Sequence, residues 1–133
     1  MISIITGDII NSRKLPSTIW IDGLKELLNT KGKNPSEWEI YRGDEFQIEI
    51  INPEEALLTA LQTLKLDARM SIGFGDKTYF AATISESNGT AFVRSGELFE
   101  TLKKLKTTLA INSGNSDLDT EINLMLRLGL TFM

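Results

Sequence analysis

Neither cysteine nor histidine occurs in this chain. Without thiols there is no disulfide framework and no thiolate metal site. Without imidazole a histidine-based nucleophilic triad is excluded. Any bound metal must then take oxygen ligands, which favours Mg²⁺, Mn²⁺ or Ca²⁺ over zinc. Basic residues are in the minority: 14 Lys and Arg stand against 18 Asp and Glu, a net charge of −4. Broad, charge-driven nucleic-acid binding by this segment is therefore not expected. The apolar start, "MISIITGDII", is short and has neither a cationic lead nor a small-residue cleavage site. Neither a signal peptide nor a membrane span is expected, and the cytoplasm is the default location. What remains is 133 residues, 41% hydrophobic and 24% charged, the make-up of one globular domain able to bury about two-thirds of its unfolded surface.

Periodicity divides the chain into elements. "ISIIT" at 2–6 is a β-branched run with no polar face, the mark of a strand covered on both sides. Ser17 can cap a helix with apolar positions Trp20, Leu24, Leu27 and Leu28, and 29–36 reads as loop. Trp38 and Ile40, then Phe46, Ile48 and Ile50, alternate with polar residues, predicting two strands around a turn near Gly43–Asp44. A two-residue turn would mix the apolar and polar sets; an odd-numbered loop or a bulge keeps the apolar sets together. In "NPEEALLTALQTLK" Asn52 caps, Pro53 opens, and Leu57, Ala60, Leu61 and Leu64 form the expected buried stripe. A strand follows at about 67–74. A third helix carries Phe92, Ser95, Leu98 or Phe99, Leu102 and Leu105; a fifth strand spans 107–112; a last helix, opened by Ser116 or Asp117, runs over 117–131.

The order is β-α-β-β-α-β followed by α-β-α, with no interdomain linker. The first six elements follow the ferredoxin-like pattern, in which the first and third strands are adjacent, central and antiparallel. The fold class expected is thus α+β: a ferredoxin-like core with an α-β-α extension. In that topology the end of the first strand adjoins the beginning of the third. Asp8 and Asp44 should converge at one edge of the sheet, with neighbouring strands about 4.8 Å apart. Like charges that close repel unless a cation lies between them, so Asp8 and Asp44, with Glu45 as a possible third ligand, form a candidate Mg²⁺ or Mn²⁺ site. The loop after Asp8, "IINSRKLPS", leads into a helix. Its residues Asn11, Ser12, Arg13 and Lys14, with Arg42 and Gly43 of the hairpin, are the candidate phosphate contacts. Carboxylates beside a phosphate cradle suit a nucleoside triphosphate bridged by Mg²⁺.

"IITGDIINSRKL", "YRGDEFQ" and "ARMSIGFGD", in this order and spacing, resemble the SatD-like family. That family is similar to the catalytic palm of nucleotidyl cyclases, both class III adenylate cyclases and GGDEF diguanylate cyclases. The resemblance spans most of residues 2–105. It implies that Asp8 and Asp44 take the metal-binding places, with the Ile9 carbonyl as a backbone ligand. It also exposes departures. Where class III cyclases carry an Asn and an Arg that orient ribose and stabilise the transition state, this chain has Val93 and Glu97, with Arg94 nearby. Where the GGDEF signature has its first glycine, this chain has Arg42. The metal end of the palm is retained and the substrate-orienting end is lost.

Plainer readings stand beside these. Asp8 also reads as a turn or capping residue, Asp44 and Glu45 as a solvated hairpin tip, and Arg13 and Lys14 as solvated loop charges. Arg69, at a strand start, reads as a structural salt-bridge partner before a substrate ligand. "INLMLRLGLTFM" is apolar nearly all round and expected to be buried, either in a homodimer or against further chain. Longer SatD-like proteins continue into a segment resembling a helix-turn-helix, so the chain reads as the N-terminal part of such a protein, with nucleic acid a partner only through that further segment. Three functions follow: a degenerate, metal-dependent nucleotide-binding regulatory domain; an active cyclase or nucleotidyl transferase; or a ligand-free oligomerisation module.

Overall fold

A computed structural model describes residues 1–10, 17–41, 44–105 and 107–131. The chain is α+β: β1 (Ile2–Ile9), α1 (Ser17–Lys31), β2 (Trp38–Tyr41), β3 (Glu45–Ile50), α2 (Glu54–Leu64), β4 (Ala68–Gly75), α3 (Thr90–Leu105), β5 (Leu109–Asn112) and α4 (Ser116–Thr131). The element order is the one the periodicity predicts. All five strands form one mixed sheet in the order β2-β3-β1-β4-β5. The first and third strands are adjacent and antiparallel as expected, and β1 is antiparallel to β4 on its other side. Only β5 runs parallel to its neighbour. Among the described residues no helix is long and apolar enough to cross a membrane.

Because side chains alternate along a strand, the sheet has two unlike faces. Ile5, Ile9, Phe46, Ile48, Met70 and Ile72 meet Trp20, Leu24 and Leu28 of α1 and Ala56 and Ala60 of α2 in the main core. The opposite face, under α3, is mixed: Ile4 packs with Ile84, Ala91 and Phe92 in a small second core, beside a buried polar cluster. There Ser95 Oγ donates to Thr6 Oγ1 at 2.7 Å, Ser71 Oγ donates to the Ser95 carbonyl at 2.6 Å, and Gln47 Nε2 donates to Thr6 Oγ1 at 3.3 Å. Glycine lets α3 approach this closely: a Cβ on Gly73 would stand 2.3 Å from the Ala91 carbonyl oxygen and 2.4 Å from the Ser95 nitrogen. Further along the same face Lys77 Nζ meets Glu49 Oε1 at 2.7 Å. The polar set of β3 is therefore partly interior.

The hairpin keeps its apolar sets together. Trp38 pairs with Ile48, Ile40 with Phe46 and Tyr41 with Glu45, which leaves an odd, three-residue connection and satisfies the parity argument. At the start of α2 Asn52 Oδ1 accepts the Glu54 N–H at 3.1 Å, so the cap sits where expected, with Pro53 already in helical conformation. Of the stripe expected of α2, Ala60 is buried and Leu61 and Leu64 pack against the core, whereas Leu57 is exposed. Ala56, Thr59 and Thr63 complete the buried face. Small side chains bring α2 near the sheet, and the two threonine hydroxyls are satisfied by donating to carbonyls one turn back. Leu105, expected in the α3 stripe, is also exposed, lying at the end of that helix.

The last helix opens at Ser116, one of the two residues expected to open it, and Asn115 Oδ1 just ahead accepts the Leu118 N–H at 3.1 Å. It lies along the outer edge of β5. The Asn123 side-chain amide accepts the Ile111 N–H at 2.7 Å and donates to the Ile111 carbonyl at 3.0 Å. The Asp119 carboxylate accepts the Ser113 N–H at 2.9 Å. Ile122, Leu126 and Leu130 pack toward the core. Within this one chain Leu118, Leu124, Met125 and Leu128 face outward.

Candidate functional site

The antiparallel register fixes one row of side chains across three strands. Asp8 of β1 lies opposite Glu45 of β3 on one side and Arg69 of β4 on the other. Residues paired in this way project from the same face of a sheet. Asp44 adjoins the row, its carbonyl accepting the Ile9 N–H at 3.2 Å. The backbone adjacency read from the sequence, with the end of β1 beside Asp44 and the start of β3, is present. Ile9 is a core residue at this end. Asn11, Ser12, Arg13, Lys14, Arg42 and Gly43 lie outside the described residues.

The electrostatics of the row differ from those expected. An anionic notch needing an external ion is not what the structure shows, because the chain brings its own cations. Arg69 holds Asp8 in a fork: Nε donates to Oδ1 at 3.2 Å and Nη2 to Oδ2 at 3.0 Å. The side chains are 22% and 11% exposed. This matches the structural salt bridge expected of Arg69. Lys103, on α3, donates to Glu45 Oε1 at 3.1 Å and, more loosely, to Glu100 Oε1 at 3.4 Å. Its ammonium also stands 4.8 Å from the Phe99 ring centre, within cation–π range. Burial alone would lower the Lys103 pKa; the hydrogen bond and charge of Glu45, helped by Glu100, outweigh it and hold the pKa above the ordinary lysine value. The row therefore reads plus, minus, minus, plus: Lys103, Glu45, Asp8, Arg69.

Whether these residues suit a divalent ion turns on lone pairs and charge. An ionised carboxylate offers about four acceptor sites, and the Arg69 fork uses one on each oxygen of Asp8, so acceptor capacity remains. A hydrogen-bonded carboxylate is also a normal ligand, oriented by its second partner. The oxygen donor set fits Mg²⁺ or Mn²⁺. The charge balance opposes such an ion, because Arg69 already neutralises Asp8 and Lys103 neutralises Glu45. Consistent with this, among the described residues no three acidic side chains stand close enough together to hold a metal ion.

The positions expected to orient substrate lie on α3. Val93 is exposed. Arg94 Nη1 donates to the Phe74 carbonyl at 2.7 Å and to the Ser113 carbonyl at 3.3 Å, which ties it to the ends of β4 and β5. Val93 and Arg94 help line an open 340 Å³ cavity with Thr78, Asn88, Gly89 and Thr90. That cavity is at the Gly75 end of β4, six residues and roughly 20 Å along the strand from Arg69.

Lys103 was not among the residues singled out, and its place needs the path of α3 over the sheet. The partnership of Arg69 with Asp8 was available in principle, since the topology that sets Asp44 beside Asp8 also sets the start of β4 on its other flank. Comparison with protein-family models, with curated proteins and with solved structures gives no match for this chain.

Proposed function

We propose that the chain is a nucleotide-binding regulatory domain built on a ferredoxin-like, cyclase-type palm, taking a nucleoside triphosphate with Mg²⁺ or Mn²⁺ at the Asp8–Asp44 end without turning it over. One observation carries the reading: the register sets Asp8 opposite Glu45 and beside Asp44, at the end of the sheet from which the chain leaves for α1. Asp8 and Asp44 would hold the ion together with phosphate oxygens, whose charge the ion would neutralise. Regulation rather than turnover is favoured because Arg94 is spent on backbone carbonyls and Val93 has no polar group to offer a ribose. An active cyclase or transferase has no such support.

The test is thermal melting with Mn²⁺ and each of the four nucleoside triphosphates. At 100 times the dissociation constant, binding stabilises the fold by about 2.7 kcal/mol. Asp44→Ala should remove that gain. A melting temperature unmoved by all four nucleotides with metal overturns the reading.

A second reading, a ligand-free oligomerisation module, is favoured by the outward apolar stripe of α4: Leu118, Leu124, Met125 and Leu128 are 44–65% exposed. Sedimentation over a wide concentration range tests it, and a monomer throughout removes it.

A further inference from the structure

The loop between β4 and α3 carries the chain's one Asn–Gly pair, Asn88–Gly89. We propose that Asn88 is a self-modification site: the Gly89 nitrogen closes onto the Asn88 side-chain amide and converts it to aspartate and isoaspartate. The reaction needs only water and base, and no ligand at the Asp8–Asp44 end.

The structure sets the reacting atoms together. Gly89 N–H donates to Asn88 Oδ1 at 2.8 Å. A carbonyl oxygen is about 1.2 Å from its carbon, so the nitrogen stands beside the carbon it would attack. Proximity held in this way is what speeds an intramolecular step. Gly89 is covered, but Asn88 beside it is exposed and lines the open cavity, so water and hydroxide reach the pair from that side. Glycine also leaves the nitrogen unhindered. No other residue suits the place, since its φ is +155° and a Cβ would lie 2.1 Å from the Asp76 carbonyl oxygen.

Hydroxide takes the Gly89 amide proton, and the nitrogen's electron pair forms a bond to Asn88 Cγ. The Cγ–Nδ2 bond breaks, and Nδ2 leaves as ammonia with a proton from water. One water then opens the resulting succinimide ring. Cleavage at Cγ leaves an aspartate; cleavage at the backbone carbonyl leaves isoaspartate, with the chain routed through the side chain and one methylene longer. The two products differ in what they do to the loop. The Asn88 carbonyl accepts the Thr78 and Tyr79 N–H groups at 2.9 and 3.0 Å, and its N–H donates to the Tyr79 carbonyl at 3.0 Å. An aspartate keeps these bonds and sets its charge just ahead of α3, where the helix dipole favours it. The added methylene of isoaspartate breaks the pairing and loosens residues 76–89 from the start of α3.

The experiment incubates the full chain, folded and in urea, at neutral and at alkaline pH, and follows every asparagine by peptide mass mapping with enzymatic isoaspartate labelling. In the folded chain Asn88 should convert about tenfold faster or more than any other asparagine, faster still in alkali, and no slower than in urea. Asn88→Gln, whose longer side chain cannot close the five-membered ring, should show no conversion at this position. Hydrogen exchange over residues 76–89 should quicken with age in the unaltered chain and stay constant in Asn88→Gln. Conversion of Asn88 no faster than that of the other asparagines overturns the proposal. So does conversion seen only in urea, which would show that the folded loop protects the pair.

Discussion

Removing the charge of Asp8 tests whether the Arg69 fork exists in solution, and two opposed effects set the sign. Asp8→Asn abolishes the like-charge contact with Glu45, directly opposite on β3; relieving such a cross-strand pair is worth about 0.2–1 kcal/mol. The same change strips Arg69 of its counter-ion. Both side chains are mostly buried, at 11% and 22% exposure, and breaking a buried pair by removing one partner costs about 3–5 kcal/mol. Asn keeps one acceptor oxygen for the guanidinium and some water reaches it, which trims the loss. The net expectation is a destabilisation of about 2–3 kcal/mol, so pair loss outweighs repulsion relief. Urea unfolding in a chelating buffer, where metal plays no part, measures it. The cycle Asp8→Asn, Arg69→Met and the double variant should give a coupling of about 1–3 kcal/mol. If Asp8→Asn is neutral or stabilising, or if the two changes add, the fork is not formed and the charge-balanced row is wrong. This sign reverses what repulsion between acids alone would predict.

Gly73→Ala should destabilise by about 3 kcal/mol, the upper part of the overpacking range, since its Cβ meets α3 backbone rather than a movable side chain; a chemical melt within 0.5 kcal/mol of the parent contradicts the close approach. Asn52→Ala should cost about 1 kcal/mol through loss of the cap on the Glu54 N–H, with faster hydrogen exchange confined to the first turn of α2. Lys103 has its pKa raised by folding, so the stability it contributes is full below the ordinary value of 10.5 and is lost as pH rises through the higher folded value. The urea midpoint of the parent should therefore fall more steeply than that of Lys103→Met above pH 10.5, and parallel curves would show that the ammonium gains nothing from Glu45.

Much of the architecture was legible because it is written in alternation. The odd hairpin loop followed from keeping Trp38 and Ile40 with Phe46 and Ile48, and the adjacency of Asp8 to Asp44 followed from placing the first strand against the third. Charge balance was not legible in the same way. It depends on which residue of a crossing helix drops over the row, and Lys103 lies on an element whose path no local pattern fixes. The α2 stripe was misplaced at one position for a different reason. Leu57 looks like core by its spacing, but the sheet admitted the smaller Ala56 beside the expected Ala60 and left Leu57 outside. α4 opens at Ser116, one of the two residues singled out for it, with Asn115 just ahead accepting the Leu118 N–H. The residues proposed to touch phosphate, Asn11 to Lys14 with Arg42 and Gly43, fall outside what the structure describes.

The way α4 clasps the outermost strand has a consequence for solubility. Asn123 and Asp119 occupy hydrogen-bonding positions that a sixth strand would otherwise claim, so the helix acts as a stopper against lateral growth of the sheet. A protease cut that frees it would bare amides ready to template onto another molecule, the usual opening step of fibre formation. Trimmed material should scatter light and bind an amyloid dye while the intact chain stays clear.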